Sequence, residues 1–290
     1  MSVFLSGRTG ATLASYRSAL RSFSRFLGAS ALDDAARQLL GLPRGSANAV
    51  VLGYRAAMID EGLAPATINH RLAAVRSLVN LARTMDLVSW ALDVPGVKSK
   101  AYRDTRGPEA DTVRALLSAE VASKPRDLRD RAMLRLMTDL GLRRVELVRL
   151  DAADVDLDGG RLMILGKGKL EREPVTLPAP TLAALAAWLT ARGDVDGALF
   201  SSFDRRGPGG RLNVSSVARI LARLCQAAGL APINPHGLRH AAITRALNAT
   251  DGDVRSVQQF SRHADLRTLM VYDDNRRDVA GDVAANVAAW

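Results

Sequence analysis

Apolar residues recur every three to four positions through the first third of the chain. In TLASYRSALRSFSRFLG, the residues Leu13, Tyr16, Leu20, Phe23, Phe26 and Leu27 fall close to helical spacing. Thr12 is placed to cap this helix and Gly28 to end it. SANAVVLGYRAAMIDEG predicts a second helix closed by Gly62. After Pro65, ATINHRLAAVRSLVNLARTM sets Ile68, Leu72, Val75, Leu78, Val79 and Ala82 on one stripe, with Arg71, Arg76 and Arg83 off it. The pattern predicts a helical domain over residues 1–95.

It breaks at DVPGVKSKAYRDTRGPEA. There Pro95, Gly96, Gly107 and Pro108 bracket the basic residues Lys98, Lys100, Arg103 and Arg106. Residues 96–108 are expected to be an interdomain linker, serving as a solvated spacer or lying along a phosphate backbone. A second domain is expected over 109–290. DTVRALLSAEV, LRDRAMLRLMTDLG and VELVRL have helical patterns, whereas RLMILGKGKLEREPVTL has apolar runs on both sides of a Gly-rich turn and predicts a β-hairpin. Helical patterns return after Pro180. The fold class expected is mainly α with a small antiparallel sheet.

Composition narrows the function. The net charge is +10, spread as +6 over residues 1–105 and +4 over the remainder. Both halves are therefore basic, and a polyanion touching both is expected. Arginine supplies 35 of the 40 basic residues, so compositional bias is the competing explanation. One cysteine, Cys225, leaves neither an internal disulfide framework nor a cysteine-based zinc site. The chain has no apolar run of membrane-spanning length and no signal-peptide pattern at its start, so no membrane partner and a cytoplasmic location are expected.

Candidate chemistry gathers in the second half. In PHGLRHAAITRAL, His236 and Arg239 stand at i and i+3, with His240 at i+4. Arg offers a planar fork to a phosphate and His moves a proton near neutral pH; the plainer reading is a helix start with surface charges. HGLRH lacks the glutamate of a zinc helix, so no metal is expected. LGKGKLERE carries Lys167 and Lys169 but is not a Walker A loop, and no cofactor is expected. Arg143 and Glu146 are one helical turn apart, spaced for a surface ion pair.

FSRHADLRTLMVYDDN ends the list. Asp265 is placed to cap a short helix whose inner face carries Leu266, Leu269 and Met270. Tyr272 sits at the edge of that face near Thr268. It is either a packing residue or, given neighbours that stabilise charge at an attacked centre, a nucleophile.

Taken in order, GLRRVEL, GKGK on a hairpin, HGLRH and a His followed nine residues later by Tyr resemble the tyrosine recombinase (phage integrase) family, in its two-domain, Xer-like form. The resemblance covers essentially the whole chain. It implies a helical, SAM-like core-binding domain and a mixed α/β catalytic domain forming a C-shaped clamp on DNA. It places the catalytic arginines at Arg143 and Arg239, the hairpin lysine at Lys167 with Lys169 as competitor, histidines at His236 and His263, and the nucleophile at Tyr272. Glu146 and Thr268 would support them. Arg71, Arg76, Lys98, Lys100, Arg103, Lys169 and Arg262 are candidate DNA contacts.

The implied reaction is strand cleavage and religation through a 3′-phosphotyrosyl link, without metal or ATP. Partners would be double-stranded DNA with a specific core site and further protomers, as a homotetramer or a heterotetramer with a paralogue, passing through a Holliday junction. The stripe Val279, Val283 and Val287 in the tail, from about residue 278, would pack in cis or dock on a neighbouring protomer. Two features depart from the family pattern. Arg262 stands where glycine is usual before His263, implying a different turn geometry, and Leu269 follows Thr268. A type IB topoisomerase and a non-catalytic DNA-binding protein on the same scaffold are the alternatives.

Overall fold

The computed structural model describes residues 4, 6, 10–98, 107–119, 124–166, 171–204, 207–263, 265, 266, 269, 284, 285 and 287–289, apart from the side chains of 11, 204 and 207–209. The chain divides into two units, Met1–Arg103 and Asp104–Trp290, each with its own apolar core. Among the described residues no helix is long and apolar enough to cross a membrane.

The first unit is built from α1 (Gly10–Phe26), α2 (Leu32–Leu40), α3 (Arg44–Asp60) and α4 (Pro65–Thr84). All six stripe residues of α4, from Ile68 to Ala82, are buried. Each large aliphatic side chain removed from water in this way contributes roughly 2 kcal/mol. Helix α1 begins at Gly10, ahead of the expected cap Thr12, which is exposed. Phe26, expected on the inner stripe, is 41% exposed and rests against Phe23 and Tyr54. Helix α2 escapes the periodicity reading because it is short and opens with two aspartates, yet it buries Ala35, Ala36 and Leu39.

Residues 94–97 fold back onto α4. Val94 is buried and its carbonyl accepts from Arg76 at 2.5 Å. Asn69 exchanges two hydrogen bonds with the Val97 backbone, at 2.9 and 2.8 Å. A Cβ on Gly96 would lie 2.6 Å from Asn69 Oδ1, so a side chain there would displace the amide that makes these two bonds. Gly96 and Val97, expected in the linker, are thus anchored to the first unit, and Arg76 is tied down rather than free for DNA.

The second unit runs α5 (Ala110–Ser118), α6 (Pro125–Asp139), α7 (Arg144–Val148), a 3₁₀ turn (Ala152–Asp154), β1 (Val155–Asp156), β2 (Arg161–Leu165), β3 (Arg172–Thr176), α8 (Ala179–Arg192), β4 (Ser201–Asp204), β5 (Gly207–Arg211), α9 (Val214–Ala227), α10 (Pro235–Ala249) and α11 (Val254–Ser261). Strands β1, β2 and β3 form one antiparallel sheet in which Leu165 pairs with Arg172. Residues 166–171 join β2 to β3.

A second sheet, β4 with β5, was not expected from the sequence. Its segment SSFDRRGPGGR is rich in glycine and carries a proline, both poor strand formers. Tertiary packing anchors it: the Phe203 ring lies edge-on to Trp188, with centroids 6.2 Å apart, and beneath the Arg129 guanidinium at 4.8 Å.

Candidate active site

Three chain segments converge on one site. The first follows α6. Gly141 adopts a left-handed φ of +58° and turns the chain so that Arg143 caps the start of α7. Arg143 donates its backbone N–H to Glu146 Oε2 at 2.9 Å and its Nη1 to Glu146 Oε1 at 2.6 Å. Glu146 is 1% exposed. The pair is therefore not the surface ion pair that its spacing suggested. Burial pushes the Glu146 carboxyl up, but Arg262 and the donors of Arg143 more than offset this and hold it below its usual value.

The second segment is α10. Asn234 caps it by accepting from Gly237 N–H at 2.7 Å, and Pro235 opens its first turn. Arg239 points inward and is 3% exposed, whereas His236 stands exposed at the rim. Arg239 donates to the carbonyls of Gly141 and Ser261. It thereby stitches the end of α6 to the end of α11. Desolvation of its ring, then Arg239, Arg144 and Arg143, lower the His236 pKa. His236 is accordingly neutral at pH 7 and able to accept a proton. His240 turns elsewhere: it is buried, and its Nδ1 accepts from the Gly107 N–H at 3.3 Å.

The third segment is the end of α11. Arg262 ends the helix at φ 55°, ψ 41°, the left-handed conformation that glycine takes most readily. Arg262 thus holds a conformation that a glycine would hold with less strain. The Arg262 side chain is only 6% exposed and its Nη2 reaches Glu146 Oε2 at 3.3 Å, so it is not available as a DNA contact. Its carbonyl accepts from Arg143 Nη2 at 3.3 Å.

His263 follows, 9% exposed. Its Nε2 is 3.4 Å from Arg239 Nη2 and its Nδ1 is 2.8 Å from Ser261 Oγ. A guanidinium can only donate, which assigns the lone pair to Nε2 and the proton to Nδ1. Desolvation, followed by Arg239, Arg143 and Arg262, pushes its pKa down to about 4. Ser261 and the Gly141 carbonyl were missed by sequence reasoning. No local pattern marks either one; the complete burial of Ser261 emerges only in the folded chain.

Leu269 is buried with Ile243 and Val257, while Leu266, expected beside it, is 41% exposed. Lys167, Lys169, Thr268, Met270 and Tyr272 lie outside the described residues, as do Lys100, Arg103 and most of the tail from 278 to 290. Of the other candidate DNA contacts, Lys98 is exposed and Arg71 half-buried.

Two guanidiniums and two neutral imidazoles thus meet at one place, fed by a backbone turn and two helix ends. Such a set can bind an oxyanion and accept protons at its edge, the chemistry that phosphoryl transfer needs. Residues 109–278 match the model of the phage integrase family. Over 93% of this chain and 88% of its own length, Tyrosine recombinase slr0733 from Synechocystis sp. is 39% identical. Tyrosine recombinase XerC from Chromohalobacter salexigens is 34% identical over 92% of this chain and 87% of its own. The fold is that of XerH site-specific recombinase bound to a palindromic difH substrate (TM-score 0.68, 20% identity, 94% and 79% of the two chains). It is also that of a lambda integrase fragment bound to a core site (TM-score 0.66, 20% identity, 93% and 90%). The chain belongs to the phage integrase family and is a tyrosine recombinase, a DNA-binding enzyme that cleaves and rejoins DNA.

Proposed function

We propose that this recombinase acts site-specifically through a covalent 3′-phosphotyrosyl intermediate formed by Tyr272. The convergence of Arg143, Arg239, His236 and His263 from three separate segments carries this reading. Arg143 and Arg239 bind the non-bridging oxygens of the scissile phosphate and stabilise the charge that builds in the pentavalent transition state. The phenol oxygen of Tyr272 attacks phosphorus while the bond to the 5′-oxygen breaks. His236, neutral at pH 7, takes or orients the phenolic proton. Lys167 supplies a proton to the leaving 5′-oxygen, with Lys169 the alternative donor. His263, whose Nε2 accepts from Arg239 and whose Nδ1–H is turned to Ser261, steadies the Arg239 guanidinium against the phosphate. One phosphoester is exchanged for another, so the bond energy is retained for religation, and the step as written draws on neither metal nor ATP.

Strand exchange then proceeds through a Holliday junction within a tetramer on two duplexes. The apolar stripe of the tail docks on a neighbouring protomer, and deleting residues 279–290 weakens cooperative binding more than binding to a single site. Unchanged cooperativity in the truncated protein contradicts that docking.

The deciding experiment starts from a site selected out of random-sequence duplex DNA by the protein itself. A nick beside the cleavage position traps the covalent complex. A protein–DNA adduct that disappears in Tyr272→Phe supports the proposal. Tight binding without an adduct favours a non-catalytic DNA-binding protein.

A further inference from the structure

We infer that Arg262 is a positioning residue for Arg143, acting through Glu146 and through its own backbone carbonyl. The inference rests on the reading of Arg143 as a phosphate clamp and adds to it the residue that fixes the clamp's direction.

The backbone supplies the first argument. An L-residue in the left-handed region costs about 1 kcal/mol more than glycine there. Arg262 sits in that region at the end of α11. Mere helix termination is better served by glycine, so the side chain must return something for the strain. It does so inside the molecule. Nη1 donates to the Phe260 carbonyl at 2.9 Å, and Nη2 donates to the Leu140 carbonyl at 3.2 Å and to Glu146 Oε2 at 3.3 Å. A guanidinium buried to this degree is retained only with such acceptors.

The division of labour on Glu146 supplies the second. Its Oε1 receives the Arg143 guanidinium, and its Oε2 is shared between the Arg143 N–H and Arg262. With both oxygens occupied the carboxylate plane is fixed, and the Arg143 fork is fixed with it. The Arg262 carbonyl takes the other arm of that fork, Nη2, at 3.3 Å. One residue thus holds Arg143 from two directions, leaving Nη1 and Nη2 oriented before substrate arrives. Preorganisation of this kind matters because a displacement of about 1 Å in a charge-stabilising group costs up to roughly 100-fold in rate.

The test uses the full-length protein and the nicked duplex carrying the self-selected site. Arg262→Gly removes the guanidinium and relieves the backbone; Arg262→Asn removes it while still tolerating the left-handed conformation. Single-turnover cleavage at saturating DNA is expected to fall about tenfold or more in both. Affinity for the un-nicked site is expected to stay within about twofold. In the double variant with Glu146→Gln, the loss is expected to be clearly smaller than the product of the single losses, because the two act on one target. Cleavage at the wild-type rate in either variant overturns the inference, as do losses that multiply. Loss of folding in both variants also overturns it, in favour of a purely structural role. Failure of the wild-type protein to form any adduct is a different result: it removes the phosphotyrosyl reading itself.

Discussion

Glu146 grips Arg143 at both ends, taking its backbone N–H on Oε2 and its guanidinium on Oε1 at 2.9 and 2.6 Å. The carboxylate is 1% exposed and also faces the buried Arg262. Removing one member of such a group leaves a charge without its counterion in a poorly solvated place. Glu146→Ala is therefore expected to destabilise the second unit by about 3 kcal/mol. Glu146→Gln keeps the shape and one acceptor and is expected to cost about 1–2 kcal/mol. Urea unfolding measures both, and an alanine variant within about 0.5 kcal/mol of wild type contradicts the assignment.

His263 ties stability to pH. Its folded pKa of about 4 lies below the ordinary 6.5, through desolvation first and then Arg239, Arg143 and Arg262. Between those values the unfolded chain binds the proton and the native chain does not. Stability is then complete above about pH 6.5 and is lost as pH falls toward 4, by up to roughly 3 kcal/mol. His236, lowered in the same direction, adds to the trend. The urea midpoint is expected to drop between pH 7 and pH 5, and to drop less in His263→Asn. Equal slopes for the two proteins contradict the origin in His263.

How much of this was legible in the chain depends on what set each feature. The α4 stripe was readable because a 3.6-residue period needs no partner to be seen. The order of Arg143, His236, Arg239 and His263 was readable as a resemblance. Which of them point inward was not. Spacing set His236 and Arg239 on one face, yet α10 is packed so closely that Arg239 is buried while His236 stays at the rim. The Arg143–Glu146 pair had surface spacing, and only tertiary packing of α7 buries its acid. Arg262 was visible as a departure from glycine, but its inward role depends on carbonyls from residues 140 and 260 and a carboxylate at 146, which no local pattern connects. The β4–β5 hairpin was hidden because its strand content comes from packing on Phe203 rather than from propensity.

Gly107 packs against the start of α10 without room for a side chain. A Cβ there would lie 2.4 Å from the Gly237 carbonyl oxygen and 2.5 Å from the Ala241 nitrogen, both backbone atoms that cannot swing away. Its N–H also serves His240 Nδ1. Gly107→Ala is expected to cost about 2 kcal/mol or more. Gly141→Ala is the control. A Cβ at Gly141 meets only ordinary contacts, 3.5 Å from Ala242 and 3.6 Å from Phe260, so the left-handed backbone sets its cost at about 1 kcal/mol. The reverse ranking in thermal or urea unfolding contradicts the close approach.

The proposed acid on the β2–β3 connection can be separated from its neighbour by chemistry at the leaving group. Lys167 and Lys169 both fall between Leu165 and Arg172, the last residue pair of the described ladder. A lysine that protonates the 5′-oxygen matters only while that oxygen leaves as a basic alkoxide. Replacing the bridging 5′-oxygen by sulfur gives a thiolate that departs without a proton. Lys167→Ala is therefore expected to lose about 100-fold or more in cleavage of the oxygen substrate, within the usual range for a general acid, and to recover most of it on the sulfur substrate. Lys169→Ala is expected to lose less and to show the same loss on both, as a residue that only binds phosphate does. If Lys169→Ala is the variant rescued by sulfur, the acid is Lys169. If neither variant is rescued, the hairpin lysines contribute charge and not a proton.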